Sequence, residues 1–161
     1  MKRLLIRVLR NDESYENGII AKKPEGKVTL TYFIRKGSSI KSQFIATTKD
    51  IGVAIESARL SGNNRMVFID LDQLIDETDV EIYDVSGDRA IDVMKSYPGE
   101  GEGKDLRYYE IAKNFANASK EVDLIGKIPR DCYTVVEMAE IEAFLCGGPH
   151  GEGVMEHFAG K

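Results

Sequence analysis

Apolar and polar positions along this chain change period repeatedly, and each change marks an element. Residues 3–9 alternate in part, which predicts a first strand carrying Arg7 near its end. Asn11-Asp12-Glu13-Ser14 is polar turn chemistry, and Lys23-Pro24-Glu25-Gly26 is a second turn. Residues 28–34 fit a strand or a short helix, broken by Gly37-Ser38-Ser39, and Gln43-Phe44-Ile45-Ala46-Thr47 is a short strand. Ile51, Ala54, Ile55 and Ala58 then recur at the spacing of one helix face, predicting a helix over 49–60 with Thr47 or Thr48 at its N-cap. Ser61-Gly62-Asn63-Asn64 ends that helix.

Residues 65–71 are short, apolar and partly β-branched, as a buried strand is, and 80–85 alternate as a half-exposed one does. Residues 96–103 hold three glycines and a proline, and read as a flexible connection. Leu106, Tyr109, Ile111, Ala112, Phe115 and Ala116 predict a second amphipathic helix. Glu121-Val122-Asp123-Leu124-Ile125 is a strand ended by Gly126 and Pro129. Residues 135–146 predict a last helix with Val135, Met138, Ile141 and Leu145 inward. The pattern is that of one α+β domain over 1–146, followed by a flexible tail over 147–161.

Composition narrows the classes. With 161 residues, 42% hydrophobic and 30% charged, the chain is long and apolar enough to bury a core without staples. The formal net charge of −5 argues against a broad nucleic-acid or anionic-membrane footprint. Cys132 and Cys146 are too few for a disulfide framework or a zinc motif and read as ordinary thiols. Only three apolar residues precede a charge at the N-terminus, so neither a signal peptide nor a spanning segment is expected, and a cytoplasmic protein is.

Several candidates for chemistry fall away on inspection. His150 and His157 lie in the tail with no partner at ligand spacing. The glycines from Gly99 to Gly103 lack a following Gly-Lys-Ser/Thr, and two glutamates among them would repel phosphate. Asp70, Asp72, Asp76, Glu77 and Asp79 form an acidic run without calcium-loop spacing, better read as a solvated loop.

Three ordered pieces remain: Ile6-Arg7-Val8-Leu9-Arg10-Asn11-Asp12-Glu13, then Ser42-Gln43-Phe44-Ile45-Ala46-Thr47-Thr48, then Lys120-Glu121-Val122-Asp123-Leu124-Ile125. Together they resemble the arginine, serine-threonine and glutamate strands of ADP-ribosyltransferases, in particular small bacterial domains found alone or as toxin modules. The turn from Glu16 to Lys22, the stretch from Ala54 to Leu71 and Ile125-Gly126-Lys127-Ile128-Pro129 fit the same pattern, so the resemblance covers residues 3–130. It implies two packed small β-sheets with flanking helices around an NAD cleft. It also implies NAD as the substrate cofactor and mono-ADP-ribosyl transfer or NAD hydrolysis as the activity.

In that frame Arg7 holds the dinucleotide, with Arg10 as the fallback in another register, and its alternative is a cation paired with Glu13 or Asp12. Thr47 and Thr48 fall in the serine-threonine motif, whose first serine is replaced by Ala46, and helix capping is their other reading. Glu121 is the catalytic carboxylate that stabilises a ribosyl cation, and an exposed strand glutamate is its alternative. Ser119 stands where many members carry Glu or Gln. Tyr32 and Phe33 are stacking candidates for nicotinamide, core packing being the commoner fate of such a pair. A macromolecular acceptor, an immunity protein and delivery to another cell belong to the toxin-module resemblance. The rival is a catalytically eroded binding module, favoured by Ala46 and Ser119. A tRNA 2′-phosphotransferase on the same fold would want a basic surface and site histidines, which the sequence does not offer.

Overall fold

Most helix starts in this chain are set by a single side chain. In the computed structural model, which describes residues 2–101, 104–146 and 153–159, the elements follow in this order. Strand β1 is Leu4–Leu9; helix α1, Leu30–Lys36, starts where Thr29 accepts from the Tyr32 amide. Strand β2 is Phe44–Thr48, and helix α2 is Ile51–Ser61. The N-cap of α2 is Asp50, which accepts from the Val53 amide, and not Thr47 or Thr48; Gly62 closes the helix at φ 71°. Asp50 immediately precedes Ile51, two residues nearer than Thr48, and Thr48 instead accepts from the Asp50 amide.

Strand β3, Arg65–Asp70, leads into helix α3, Leu71–Glu77, capped by Asp70. Strand β4 is Glu81–Asp84, helix α4 Ala90–Ser96, helix α5 Leu106–Ser119 and strand β5 Glu121–Ile125. A 3-10 turn at Arg130–Cys132 precedes strand β6, Tyr133–Glu137, and helix α6, Met138–Cys146; helix α7 is Val154–Ala159.

The registered strand pairs are antiparallel, and the strands join in the order β4-β5-β2-β1-β3-β6. The resemblance implies two separate small sheets; the strands instead form one hydrogen-bonded order. Residues group into two compact units, each built from segments distant in sequence. The first comprises residues 1–19, 48–78 and 128–161, the second 20–47 and 79–127.

In the first unit β3 pairs along its length with β1 and with β6, and Ile6 of β1 also pairs with Thr48 at the end of β2. Its core is built from Ile6, Ala54, Ile55, Ala58, Met66, Phe68, Val136, Met138, Ile141, Val154 and Phe158. Two expectations change here. Val135 belongs to β6 and not to a helix, because Tyr133–Glu137 find a five-residue register on β3 that local propensity alone does not show. Part of the expected tail, Val154–Ala159, is helical, since Val154 and Phe158 are apolar and bury against this core. The rest of 147–152, with His150, and residues 160–161 lie outside the described residues.

In the second unit β4 pairs with β5 over four positions, from Glu81↔Ile125 to Asp84↔Val122. Leu30, Phe33, Ile34, Phe44, Val85, Ala90, Met94, Ala112 and Ala116 form its core. Of the six positions expected inward on α5, Ala112 and Ala116 are buried, while Leu106, Ile111 and Phe115 are exposed. At about 100° per residue, Tyr109, Ala112 and Ala116 share an arc of about 60°, and Ile111 and Phe115 point about 90° or more from its centre. Gly99 packs on the entry to α1, where a Cβ would lie 2.5 Å from the Val28 carbonyl oxygen. Residues 96–101 are thus partly tied down, while Glu102 and Gly103 lie outside the described residues. Among the described residues no helix is long and apolar enough to cross a membrane.

Candidate functional site

The candidate carboxylate sits where a helix turns abruptly into a strand. Lys120 closes α5 in the left-handed region at φ 50°, the one non-glycine with positive φ among the described residues. This single strained residue turns the chain so that Glu121 opens β5 directly. Alternation then puts Glu121 and Asp123 on one face of β5 and Val122 and Leu124 on the other. Asp123 is fully buried. Glu121 is half-buried, but its Oε2 is enclosed and makes no hydrogen bond among the described residues.

Burial pushes the Glu121 carboxyl above the usual range, opposed by hydrogen bonds with Asp123 and Ser119. Ser119 Oγ lies 2.9 Å from the Phe115 carbonyl and 3.5 Å from Glu121 Oε1. Its hydroxyl therefore divides between the helix end and the carboxyl.

Thr47 acts on the same strand. Its Oγ1 donates to the Val122 carbonyl at 2.7 Å, tying β2 to β5 one residue beyond Glu121. Ala46 faces the other way and packs against the apolar core of this unit. The two neighbours thus divide the roles of a serine: Ala46 fills space, and Thr47 braces backbone. Phe33 is core, with its ring centroid 5.1 Å from that of Phe44. Tyr32 is half-buried on α1.

Arg7 belongs to the first unit. It lies opposite Val67 in the β1–β3 register, with its side chain 13% exposed. Its Nε and Nη2 donate to the two oxygens of Glu13 at 2.9 and 3.0 Å, a bidentate pair. Arg10 Nη1 reaches Glu13 at 3.1 Å, and its backbone amide donates to the same carboxylate. Asp12 pairs with Arg10. The arginine of the first motif is thus held rigidly by a carboxylate six residues on. Thr48, also in this unit, caps backbone as described above.

The remaining candidates disperse. Asp70 caps α3, Asp72 pairs with Arg3, and Glu77 approaches Cys132, so the acidic run does not act as one cluster. His157 stacks on Phe144 with centroids 4.6 Å apart, a packing role. Cys132 is buried, and its thiol is pushed up to about 11 by burial and by Asp131 and Glu77, the reverse of an activated nucleophile.

Asp123 was not a sequence candidate and is the residue most worth adding. Its signal is a carboxylate in the centre of an otherwise apolar strand, two residues from another acid. Glu13, expected from sequence as an alternative partner of Arg7, is that partner.

No protein-family model and no curated protein matches this sequence. Among solved structures the chain is similar in fold to EcPltA, at 16% identity and a TM-score of 0.54, over 84% of this chain and 75% of that one.

Proposed function

We propose that this chain is an NAD-dependent mono-ADP-ribosyltransferase or NAD glycohydrolase with an ADP-ribosyltransferase-like fold around an NAD cleft. The observation that carries this reading is Glu121: a carboxyl at a strained helix-to-strand junction, with an enclosed oxygen, Oε2, that has no hydrogen bond among the described residues. A ribose 2′-hydroxyl would supply that bond by donating to it. The ordered motifs on β1, β2 and β5, and Thr47 bracing the backbone beside Glu121, support the same reading.

The chemistry is a substitution at the ribose carbon that bears nicotinamide. The carbon–nitrogen bond breaks with its electron pair leaving on nicotinamide, positive charge grows on the ribosyl group, and an acceptor or water attacks and loses a proton. Ionised Glu121 stabilises the growing charge, as a preorganised carboxylate does in glycoside hydrolysis. Arg7, oriented by Glu13, binds the pyrophosphate. A macromolecular acceptor, a role as toxin or effector in another cell and an immunity protein as partner complete the proposal.

A second reading, a binding module with an eroded site, is favoured by specific observations. Ala46 packs against an apolar core, Arg7 is already engaged on one side by Glu13, and burial favours the protonated Glu121 carboxyl.

Incubation with NAD, alone and with a lysate, decides between them by release of free nicotinamide and transfer of label. Glu121→Gln is expected to lower turnover on the order of 10²–10³-fold with little change in NAD affinity. Arg7→Ala is expected to weaken NAD binding instead. Equal NAD consumption by Glu121→Gln would remove this mechanism, and absence of both binding and consumption by the unaltered protein would establish the binding module.

A further inference from the structure

Cys132 and Glu77 are 55 residues apart in sequence, yet the thiol and the carboxylate meet in the first unit. Cys132 Sγ lies 3.8 Å from Glu77 Oε2 and 3.9 Å from Asp131 Oδ1, and the three donor atoms are all within 4.8 Å of one another. The sulfur belongs to a residue only 1% exposed, and both carboxylates are at the surface. We propose that Cys132, Glu77 and Asp131 form a binding site for one divalent cation of the zinc class.

Three observations carry this. The first is the fit. Zinc bonds of about 2.3 Å to sulfur and about 2.0–2.2 Å to oxygen give a tetrahedral sulfur–oxygen edge of about 3.5–3.7 Å. The two sulfur–oxygen separations of 3.8 and 3.9 Å lie within a few tenths of an ångström of that edge, and binding would draw the two oxygens, within 4.8 Å of one another, together. A fourth position on the solvent side is left for water.

The second is the charge balance. Among the described residues no lysine or arginine pairs with Glu77 or Asp131. The adjacent Arg130 is turned away, donating to the Tyr133 carbonyl and lying over the Tyr133 ring. Beyond these two carboxylates the buried sulfur has no hydrogen-bond partner among the described residues. A buried soft donor thus faces two uncompensated acids.

The third is the support behind the ligands. Gln73 Nε2 donates to Glu77 Oε1 at 2.9 Å, one turn earlier on α3, which fixes the carboxylate so that Oε2 faces the thiol. Cys132 is fixed in its 3-10 turn by its amide, which donates to the Pro129 carbonyl at 3.0 Å. One soft sulfur and two hard oxygens select a borderline metal such as zinc or its cadmium surrogate over calcium or magnesium, which take oxygen alone.

The test is equilibrium dialysis of the whole protein against zinc chloride, with metal counted per chain. A parallel cadmium titration follows the ultraviolet thiolate-to-metal absorption. One zinc per chain is expected for the unaltered protein and for Cys146→Ser, whose thiol lies elsewhere. Cys132→Ser should lose the cadmium band and weaken zinc binding beyond the 10–100-fold that removing a merely supporting residue costs. Glu77→Gln and Asp131→Asn change surface groups and keep the fold, so they decide the matter if Cys132→Ser does not fold. Each should weaken zinc about tenfold or more, and zinc should raise the melting temperature of the unaltered protein but not of these variants. No zinc uptake by the unaltered protein, or undiminished uptake by Cys132→Ser or Glu77→Gln, overturns the site.

Discussion

Glu121 carries two demands that pull against each other. Burial favours its protonated carboxyl, against the hydrogen bonds with Asp123 and Ser119, while charge stabilisation needs the carboxylate. In an unfolded chain the group titrates near its ordinary value of 4.5; in the fold that value is raised, chiefly by burial. The folded state therefore binds more protons than the unfolded one over the interval between the two. The stability linked to this group is complete below 4.5 and is lost as pH rises through the elevated folded value. Glu121→Gln has no such titration, so its melting temperature relative to the unaltered protein should climb as pH rises from about 4 toward 8. A difference independent of pH would show that the carboxyl is not desolvated. If the proposed activity holds, its acid limb should likewise lie above the ordinary carboxylate range, and should be absent from the residual rate of Glu121→Gln. Arg7, Thr47 and Glu121 stand out in the sequence through the three ordered motifs they belong to. Glu13 is legible as a partner of Arg7 six residues on, whereas Asp123 is not, since a carboxylate in a strand looks solvated until tertiary packing encloses it.

Elements were readable where one periodicity decided them alone. Helix α2 is the clearest: Ala54, Ile55 and Ala58 are buried as their spacing requires, and Gly62 supplies the left-handed cap. Ile55 is 6% exposed within the first unit's core, so Ile55→Ala should cost roughly 2–4 kcal/mol in chemical denaturation. A change within about half a kcal/mol would place that face in solvent. The ambiguous run at 28–34 resolved as α1, because Thr29 offers a capping hydroxyl that a strand would not use. Strand β6 was hidden for the opposite reason. Its helix-compatible spacing from Val135 to Leu145 runs straight through a strand–helix junction at Met138, and only pairing with β3 separates the two. Helix α7 was hidden by the glycines before it, which suggest looseness and say nothing of what Val154 and Phe158 bury. Phe158, 4% exposed, should therefore cost roughly 3–5 kcal/mol on truncation to Ala, against almost nothing if the tail were loose throughout.

At the scale of the whole molecule, the chain builds each compact unit from segments that are not neighbours in sequence. The first unit needs residues 1–19, 48–78 and 128–161 together, and the second needs 20–47 and 79–127. No contiguous half contains either unit. A fragment ending at residue 78 keeps β1 and β3 but loses β6, which pairs with β3 from Arg65↔Glu137 to Ile69↔Tyr133. It also loses Val136, Met138, Ile141, Val154 and Phe158 from the core that Met66 and Phe68 share. The complementary fragment from residue 79 keeps β4 and β5 but loses Leu30, Phe33, Ile34 and Phe44. Each fragment thus exposes an apolar face and an unpaired strand edge, without the burial needed to offset its chain entropy. Fragments 1–78 and 79–161 should each lack a cooperative thermal transition and near-ultraviolet circular dichroism, and the intact chain should show both. The same interleaving makes folding slow. Its strand pairs close long loops before they are rewarded, which places refolding in the millisecond-to-second range and not in microseconds. A sigmoidal transition from either fragment alone, or microsecond refolding of the whole, would mean that local segments carry stability which the interleaved cores assign to distant ones.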